Sequence, residues 1–288
     1  MNLKTLISNG ISIVSNLYPE TEAREMVFVC LERYVGTKRH THIIEPEYEV
    51  PEEKVAEVMA VFERLANGEP LQYVTGEAYF YGRSFHVTPS TLIPRPETEL
   101  LCRMAVEAAS TAQPRILDLC TGSGCIAWTL ALELPDSEVV AVDISDPALE
   151  VASTQDFSEE MSLTGAHKPT FIKADVLSPI VNDAGKFDLI LSNPPYVMDK
   201  EKALMRTNVL DHEPHLALFV PDEDPLIFYR AVADRAAELL APDGVGIVEI
   251  NEALGEQTAE VFRLRGFARA EVVKDLYEKD RFVRFSKK

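Results

Sequence analysis

Long apolar runs are missing from this chain. No stretch approaches the roughly 20 apolar residues that cross a bilayer, so a membrane-spanning helix is not expected. The opening residues, Met1-Asn2-Leu3-Lys4-Thr5-Leu6-Ile7-Ser8-Asn9-Gly10, lack the long apolar segment of a secretory signal. A cytoplasmic location is the expectation. Cysteine is scarce, and Cys30, Cys102, Cys120 and Cys125 stand at irregular intervals. Cys120 and Cys125 have no histidine or second cysteine pair beside them. That spacing does not make a closed tetrahedral zinc site, and no metal is expected. Positive charge is outnumbered, with 28 Lys and Arg against 47 Asp and Glu, a net charge of −19. Stable nucleic-acid binding rests on basic side chains that neutralise phosphates. The basic runs here are short, Lys38-Arg39-His40 and Ser286-Lys287-Lys288. Internal repeats and low-complexity segments are also lacking.

What the chain does have is core material. Of its 288 residues 46% are hydrophobic and 26% charged, ordinary proportions for a globular protein. The length suggests two domains. Residues 1–70 read as a small helical bundle. Ala23, Met26, Val27, Cys30, Leu31 and Tyr34 recur at helical spacing, and so do Val55, Val58, Met59, Phe62 and Leu65. Pro51-Glu52-Glu53 is a helix start and Asn67-Gly68 a stop. A third helix (Leu3, Leu6, Ile7, Ile11, Val14) is expected to be weaker, interrupted by Gly10. The bundle carries no catalytic constellation, and its expected work is to recognise a partner. Residues 71–95 change character. The aromatic alternation Tyr79 to Val87, with turn points at Gly76 and Gly82, predicts a β-hairpin that joins two domains.

From residue 96 to 288 strands alternate with helices. Arg115–Leu119, Glu138–Asp143, Thr170–Asp175, Phe187–Ser192 and Gly246–Ile250 read as strands, and Ile126–Leu134 as a helix. Such alternation implies an α/β fold with a doubly wound, mostly parallel sheet. Ala270–Val273 and Arg281–Phe285 have no helix between them and are expected to pair antiparallel, which brings the sheet to seven strands.

Two loops carry chemistry. The first strand runs into Asp118-Leu119-Cys120-Thr121-Gly122-Ser123-Gly124. Its glycines let a ligand approach the backbone. Asp143 ends the next strand, roughly 20 residues on, where a carboxylate accepts ribose hydroxyls. Gly122-x-Gly124-x-x-Ala127 formally fits the dinucleotide fingerprint. Asp118 argues against it, because a pyrophosphate beside a carboxylate costs roughly 1 kcal/mol in water and several in a low-dielectric cleft. S-adenosylmethionine carries a sulfonium and an ammonium instead, and for it Asp118 is attractive. The second loop is Asn193-Pro194-Pro195-Tyr196, where the strand before it ends. Ligand sites of such sheets lie outside the carboxyl ends of the strands. Two prolines fix two φ angles and remove two N–H donors. The result is a stiff turn that offers carbonyls, a carboxamide and a ring, a set suited to a planar NH2 group.

These motifs resemble the HemK/PrmC family of release-factor glutamine methyltransferases. The resemblance covers nearly all of residues 70–285. It rests on Pro70-Leu71-Gln72-Tyr73-Val74-Thr75-Gly76, Phe80-Tyr81-Gly82, Leu92-Ile93-Pro94-Arg95-Pro96-Glu97-Thr98-Glu99, Leu117-Asp118-Leu119 with Thr121-Gly122-Ser123-Gly124, Ser192-Asn193-Pro194-Pro195-Tyr196, and Glu213-Pro214 followed by Ala217-Leu218. It implies the class I fold of methyltransferases that use S-adenosylmethionine. It also implies methylation of the amide nitrogen of the glutamine in the Gly-Gly-Gln motif of class I peptide-chain release factors. By that resemblance Asp118, Cys120, Thr121, Gly122, Ser123, Gly124, Asp143, Asp175, Val176 and Asn193 would hold the cofactor. Asn193, Pro194, Pro195 and Tyr196 would hold the substrate amide, with Asn193, Pro194 and Tyr196 acting in catalysis and Tyr196 packing on the flat target group. Two positions depart from the pattern. Cys120 stands where glycine is usual, and Val176 where some relatives carry an aromatic residue. The rival reading is methylation of an exocyclic amino group in nucleic acid, by the same turn acting on a flipped base. The charge of −19 opposes it.

Overall fold

A computed structural model of the chain describes residues 1–180 and 185–288. In chain order its helices are α1 (Leu3–Val14), α2 (Glu20–Val35), α3 (Thr41–Ile44), α4 (Glu52–Ala66), α5 (Leu71–Thr75), α6 (Thr98–Ala108), α7 (Cys125–Glu133), α8 (Asp146–Ser153), α9 (Ser158–Thr164), α10 (Thr207–His212), α11 (His215–Leu218), α12 (Ile227–Leu239) and α13 (Gly255–Arg263). The strands are β1 (Glu77–Phe80), β2 (Arg83–His86), β3 (Arg115–Leu119), β4 (Glu138–Asp143), β5 (Thr170–Lys173), β6 (Phe187–Ser192), β7 (Val197–Met198), β8 (Phe219–Val220), β9 (Leu240–Glu249), β10 (Arg269–Lys274) and β11 (Asp280–Ser286). The chain divides into two compact units, Met1–Glu77 with Arg206–His212, and Ala78–Met205 with Glu213–Lys288.

The first unit is helical. Its core joins Leu3, Leu6 and Val14 of α1 to Val27 and Leu31 of α2 and to Val58, Phe62 and Leu65 of α4. Helix α2 stops at Gly36, whose φ of 81° is the left-handed cap that glycine supplies at no steric cost. Glu52 and Glu53 occupy the first turn of α4, where carboxylates meet the positive end of the helix dipole. Helix α1 runs unbroken through Gly10, contrary to the expected interruption. Glycine is there for space: a Cβ at Gly10 would lie 2.5 Å from the ring of Phe62. The apparent breaker is a packing notch between α1 and α4.

The second unit is built on a seven-stranded sheet of order β10-β11-β9-β6-β3-β4-β5. Strands β9, β6, β3, β4 and β5 are parallel, and β11 lies antiparallel between β9 and β10. This is the doubly wound, mostly parallel arrangement that the alternation implied. Two cores cover its faces. One packs Tyr229, Val232, Ala236, Phe262 and Phe285 against Leu117, Leu119, Ile190 and Val248. The other packs Leu101, Cys102, Trp128 and Leu130 against Ile116, Ala141, Leu189 and Ile247, with Phe80 and Phe85 of the β1–β2 pair. Eight of the nine residues of α7 are buried, which suits a helix that is apolar all round. The β1–β2 turn places Tyr81 and Gly82 at φ 50° and 78°, the left-handed pair of a two-residue hairpin. Among the described residues no helix is long and apolar enough to cross a membrane.

Candidate active site

Strand register creates the site. Leu119 of β3 lies level with Val142 of β4 and Ser192 of β6, and Ser192 lies level with Val248 of β9. Four parallel strands therefore end together, and their following loops leave side by side. The Ser192 hydroxyl ties two of these ends by donating to the Leu119 carbonyl at 2.8 Å.

The loop after β3 is wound by left-handed residues. Cys120, Gly122 and Gly124 have φ of 64°, 56° and 79°. For Cys120 this conformation is strained by about 1 kcal/mol or more, because its Cβ crowds the backbone. The loop is pinned on both sides. Thr121 N–H donates to the Val142 carbonyl at 3.0 Å, and Gly122 N–H donates to Asp143 Oδ2 at 2.9 Å. Asp143 Oδ1 accepts from Ser145 N–H at 2.9 Å, and the Ser145 hydroxyl caps α8 through Ala148 N–H. Each Asp143 oxygen keeps a lone pair for a further donor. Burial raises the Asp143 pKa. Gly124 allows α7 to start close to α8, since a Cβ there would lie 3.0 Å from that of Ala152.

Asp118 is fully buried in β3. Its Oδ2 accepts from the Thr121 hydroxyl at 2.5 Å, and its Oδ1 has no hydrogen-bond partner among the described residues. Burial pushes its carboxyl up to about 7, and the nearby Asp143 charge adds to the rise. The Thr121 hydroxyl and the Ala127 N–H favour its charged form only in part, and a cation close by would favour it further.

The turn after β6 is held from behind. Asn193 Nδ2 donates to Thr98 Oγ1 at 3.3 Å, and Thr98 Oγ1 donates to Glu249 Oε2 at 2.7 Å. The Tyr196 hydroxyl donates to Glu249 Oε1 at 3.1 Å. Tyr196 N–H donates to the Leu218 carbonyl at 3.2 Å, and Asn251 Nδ2 donates to the Tyr196 carbonyl at 3.2 Å. Burial and the Glu249 charge raise the Tyr196 pKa well above its ordinary value. Among the described residues nothing donates to Asn193 Oδ1 or to the Pro194 carbonyl. The segment Ile93-Pro94-Arg95 is anchored through buried Glu213, whose Oε1 accepts from Arg95 at 2.7 Å and whose Oε2 accepts from Ile93 N–H at 3.3 Å.

One cavity collects these parts. Of the expected residues Cys120, Thr121, Gly122, Ser123, Asp143, Asp175, Val176, Asn193 and Pro195 line it. Asp118, Gly124, Pro194 and Tyr196 are not in its lining. Ile144, Val176, Leu177 and Phe228 give it an apolar wall. Sequence reading missed Thr98, Ile144 and Phe228 in the lining and Glu249 behind it. Glu249 did carry a signal, an acidic residue at the end of an apolar parallel strand, the same mark that singled out Asp143. Phe228 carried none, because it arrives from α12, far along the chain.

The lining suits a nucleoside that carries positive charge. Asp143 and Asp175 stand in the wall and Asp118 behind it. The one lining cation among the described residues, Arg95, is paired with Glu213. A pyrophosphate would find little to neutralise it, whereas a sulfonium and an ammonium meet carboxylates. With the strand order, this defines a class I methyltransferase that uses S-adenosylmethionine.

Comparison with known proteins agrees. Residues 97–216 match the methyltransferase small domain, and residues 7–76 match the PrmC N-terminal domain. The release factor glutamine methyltransferase of Flavobacterium psychrophilum is 36% identical over 99% of this chain and 99% of its own. That of Bacteroides thetaiotaomicron is 45% identical over 80% of each chain. The hMettl16 catalytic domain, crystallised with an RNA hairpin, superposes with a TM-score of 0.55 over 82% of each chain at 14% identity, a likeness of fold alone. The chain belongs to the HemK/PrmC family of release factor glutamine methyltransferases.

Proposed function

We propose that this protein methylates the side-chain amide nitrogen of the glutamine in the Gly-Gly-Gln motif of class I peptide-chain release factors, in the cytoplasm. The observation that carries the reading is the uncommitted Asn193 Oδ1 of a residue in the cavity wall, with the unpaired Pro194 carbonyl next to it, on a turn locked by its own prolines and by Glu249.

S-adenosylmethionine supplies a methyl group made electrophilic by its sulfonium. Asp143 and Asp175 would bind the adenosine and amino-acid portions, with Asp118 as a buried counter-charge. Cys120, Thr121, Gly122, Ser123 and Gly124 would present backbone at close range, and Val176 an apolar contact. The protein's own work is on the nucleophile. An amide nitrogen reacts poorly because its lone pair is delocalised into the carbonyl. Two acceptors on its two hydrogens favour positive charge building on nitrogen, the counterpart of an oxyanion hole. They also orient the nitrogen, and orientation of a near-attack pair is worth up to several kcal/mol. Pro195 would border the substrate. Tyr196 is bonded to Glu249, so its main work is to brace the turn, with its ring edge left for the target. Residues 1–70 would recognise the release factor and residues 71–95 would link that segment to the catalytic part, residues 96–288.

The test is Asn193→Ala with a class I release factor as substrate. Methyl transfer should fall by two orders of magnitude or more, while affinity for S-adenosylhomocysteine stays within about threefold. Full turnover in the variant rejects the assignment. Transfer of labelled methyl to nucleic acid but not to release factor supports the rival substrate.

A further inference from the structure

The carboxamide of Asn193 is useful to the proposed reaction in only one of its two flipped orientations. With its oxygen toward the substrate it accepts an N–H. Turned by 180°, it offers an NH2 to an NH2, and neither nitrogen, its lone pair delocalised into its carbonyl, can accept. Something in the protein must decide between these two states.

We infer that Thr98 and Glu249 are positioning residues that fix this orientation, acting as a one-way hydrogen-bond chain from Asn193 to a buried carboxylate. The chain follows from counting protons. Burial raises the Glu249 pKa, while the Thr98 and Tyr196 hydroxyls favour its charged form; with its carboxylate ionised, Glu249 is an acceptor only. It is 1% exposed, and its Oε2 lies 2.7 Å from Thr98 Oγ1. Thr98 is 2% exposed and has a single hydroxyl proton, which is committed to Glu249. Toward Asn193 the hydroxyl can then act only as an acceptor. The carboxamide must present Nδ2 to it, as observed at 3.3 Å, and Oδ1 is left for the cavity. The second Glu249 oxygen is held by the Tyr196 hydroxyl at 3.1 Å. One carboxylate thus grips both ends of the Asn193-Pro194-Pro195-Tyr196 turn. It fixes the rotation of the first residue and the place of the last. Burying a carboxylate in this way is costly, and two hydroxyl donors are what offset the cost.

This inference deepens the proposed role of Asn193 and rests on it. The experiment therefore pairs each variant with Asn193→Ala. Methyl transfer to a class I release factor is measured with full-length protein, with kcat and KM separated, beside S-adenosylhomocysteine affinity and thermal stability. Thr98→Val keeps the shape and removes the acceptor. It should lower kcat 10- to 100-fold with KM and cofactor affinity within about threefold. Thr98→Ser restores the hydroxyl and should recover most of the turnover. Glu249→Gln can donate to Thr98 and so release the hydroxyl proton toward Asn193. It should lower kcat by a similar factor. Because both act through the carboxamide, adding Thr98→Val or Glu249→Gln to Asn193→Ala should lower kcat by less than about threefold more. If Asn193→Ala lowers kcat but neither Thr98→Val nor Glu249→Gln does, the positioning inference is wrong and the Asn193 assignment survives. Losses that multiply fully in the double variants also overturn it. If Asn193→Ala itself has no effect, both fall.

Discussion

Removing the charge of Asp118 should make the cofactor-free protein more stable, relative to the parent, as pH rises. Asp118 is fully buried, and its carboxyl is raised from 3.8 to about 7, chiefly by burial. A group whose folded pKa exceeds its unfolded value favours folding most when it is protonated in both states. That benefit is lost as pH climbs from about 4 through about 7. Over the whole window the loss is roughly 4 kcal/mol, at 1.36 kcal/mol per unit. Between pH 6 and pH 8 it is roughly 1.4 kcal/mol. Asp118→Asn removes this titration and leaves the Thr121 hydroxyl an acceptor. Comparing urea unfolding of the two proteins at pH 6, 7 and 8 cancels the titrating groups that do not interact with Asp118. The variant should gain on the parent by roughly 1.4 kcal/mol across that range. A difference that does not change with pH would mean that Asp118 does not titrate in this range in the folded protein. A cationic cofactor must pull the other way, since it favours the ionised carboxylate. S-adenosylmethionine affinity should therefore rise from pH 6 to pH 8 in the parent and lose most of that rise in Asp118→Asn.

Other outcomes follow from single contacts. Asp143→Ala removes the acceptor shared by Gly122 N–H and Ser145 N–H together with its free lone pairs. Calorimetry should show S-adenosylhomocysteine affinity reduced by at least tenfold, with turnover at saturating cofactor less affected. Gly10→Ala puts a methyl group 2.5 Å from the buried ring of Phe62. Overpacking of this kind costs roughly 1–3 kcal/mol, which thermal unfolding will read. Cys120→Gly relieves a left-handed residue at φ 64°. Its melting temperature should hold or rise, whereas a fall of several degrees would mean that the cysteine side chain packs for more than its strain costs.

The sheet was legible in the sequence because parallel strands buried on both faces are written as short apolar runs. Leu117 and Leu119, or Leu189, Ile190 and Leu191, have no solvent-facing partner to break them. The strand ends were legible too, since Asp143 and the Asn193 turn interrupt those runs with chemistry. Gly10 misled because a glycine inside a helical pattern reads the same whether it breaks the helix or admits a neighbouring ring. The polar chain Asn193–Thr98–Glu249 joins three segments more than 50 residues apart, and no local spacing records it. Thr98 looks like an ordinary first-turn threonine, and Glu249, though marked by its place at a strand end, gives no sign of its partners. Register brings Asn193 and Glu249 together, through Ser192 beside Val248, and Thr98 reaches them from the first turn of α6. Phe228 reaches the cavity wall in the same way, from a helix whose pattern reports only that it packs on the sheet.

On the proposed function this turn presents two oxygens to a glutamine amide opposite a cationic methyl donor. The most direct test is to incubate a class I release factor with the protein and S-adenosylmethionine and to sequence the Gly-Gly-Gln peptide by tandem mass spectrometry. One added methyl group, located on the glutamine side-chain nitrogen and absent with Asn193→Ala, is the predicted result. An unmodified glutamine, or a methyl group placed on another residue, would contradict it.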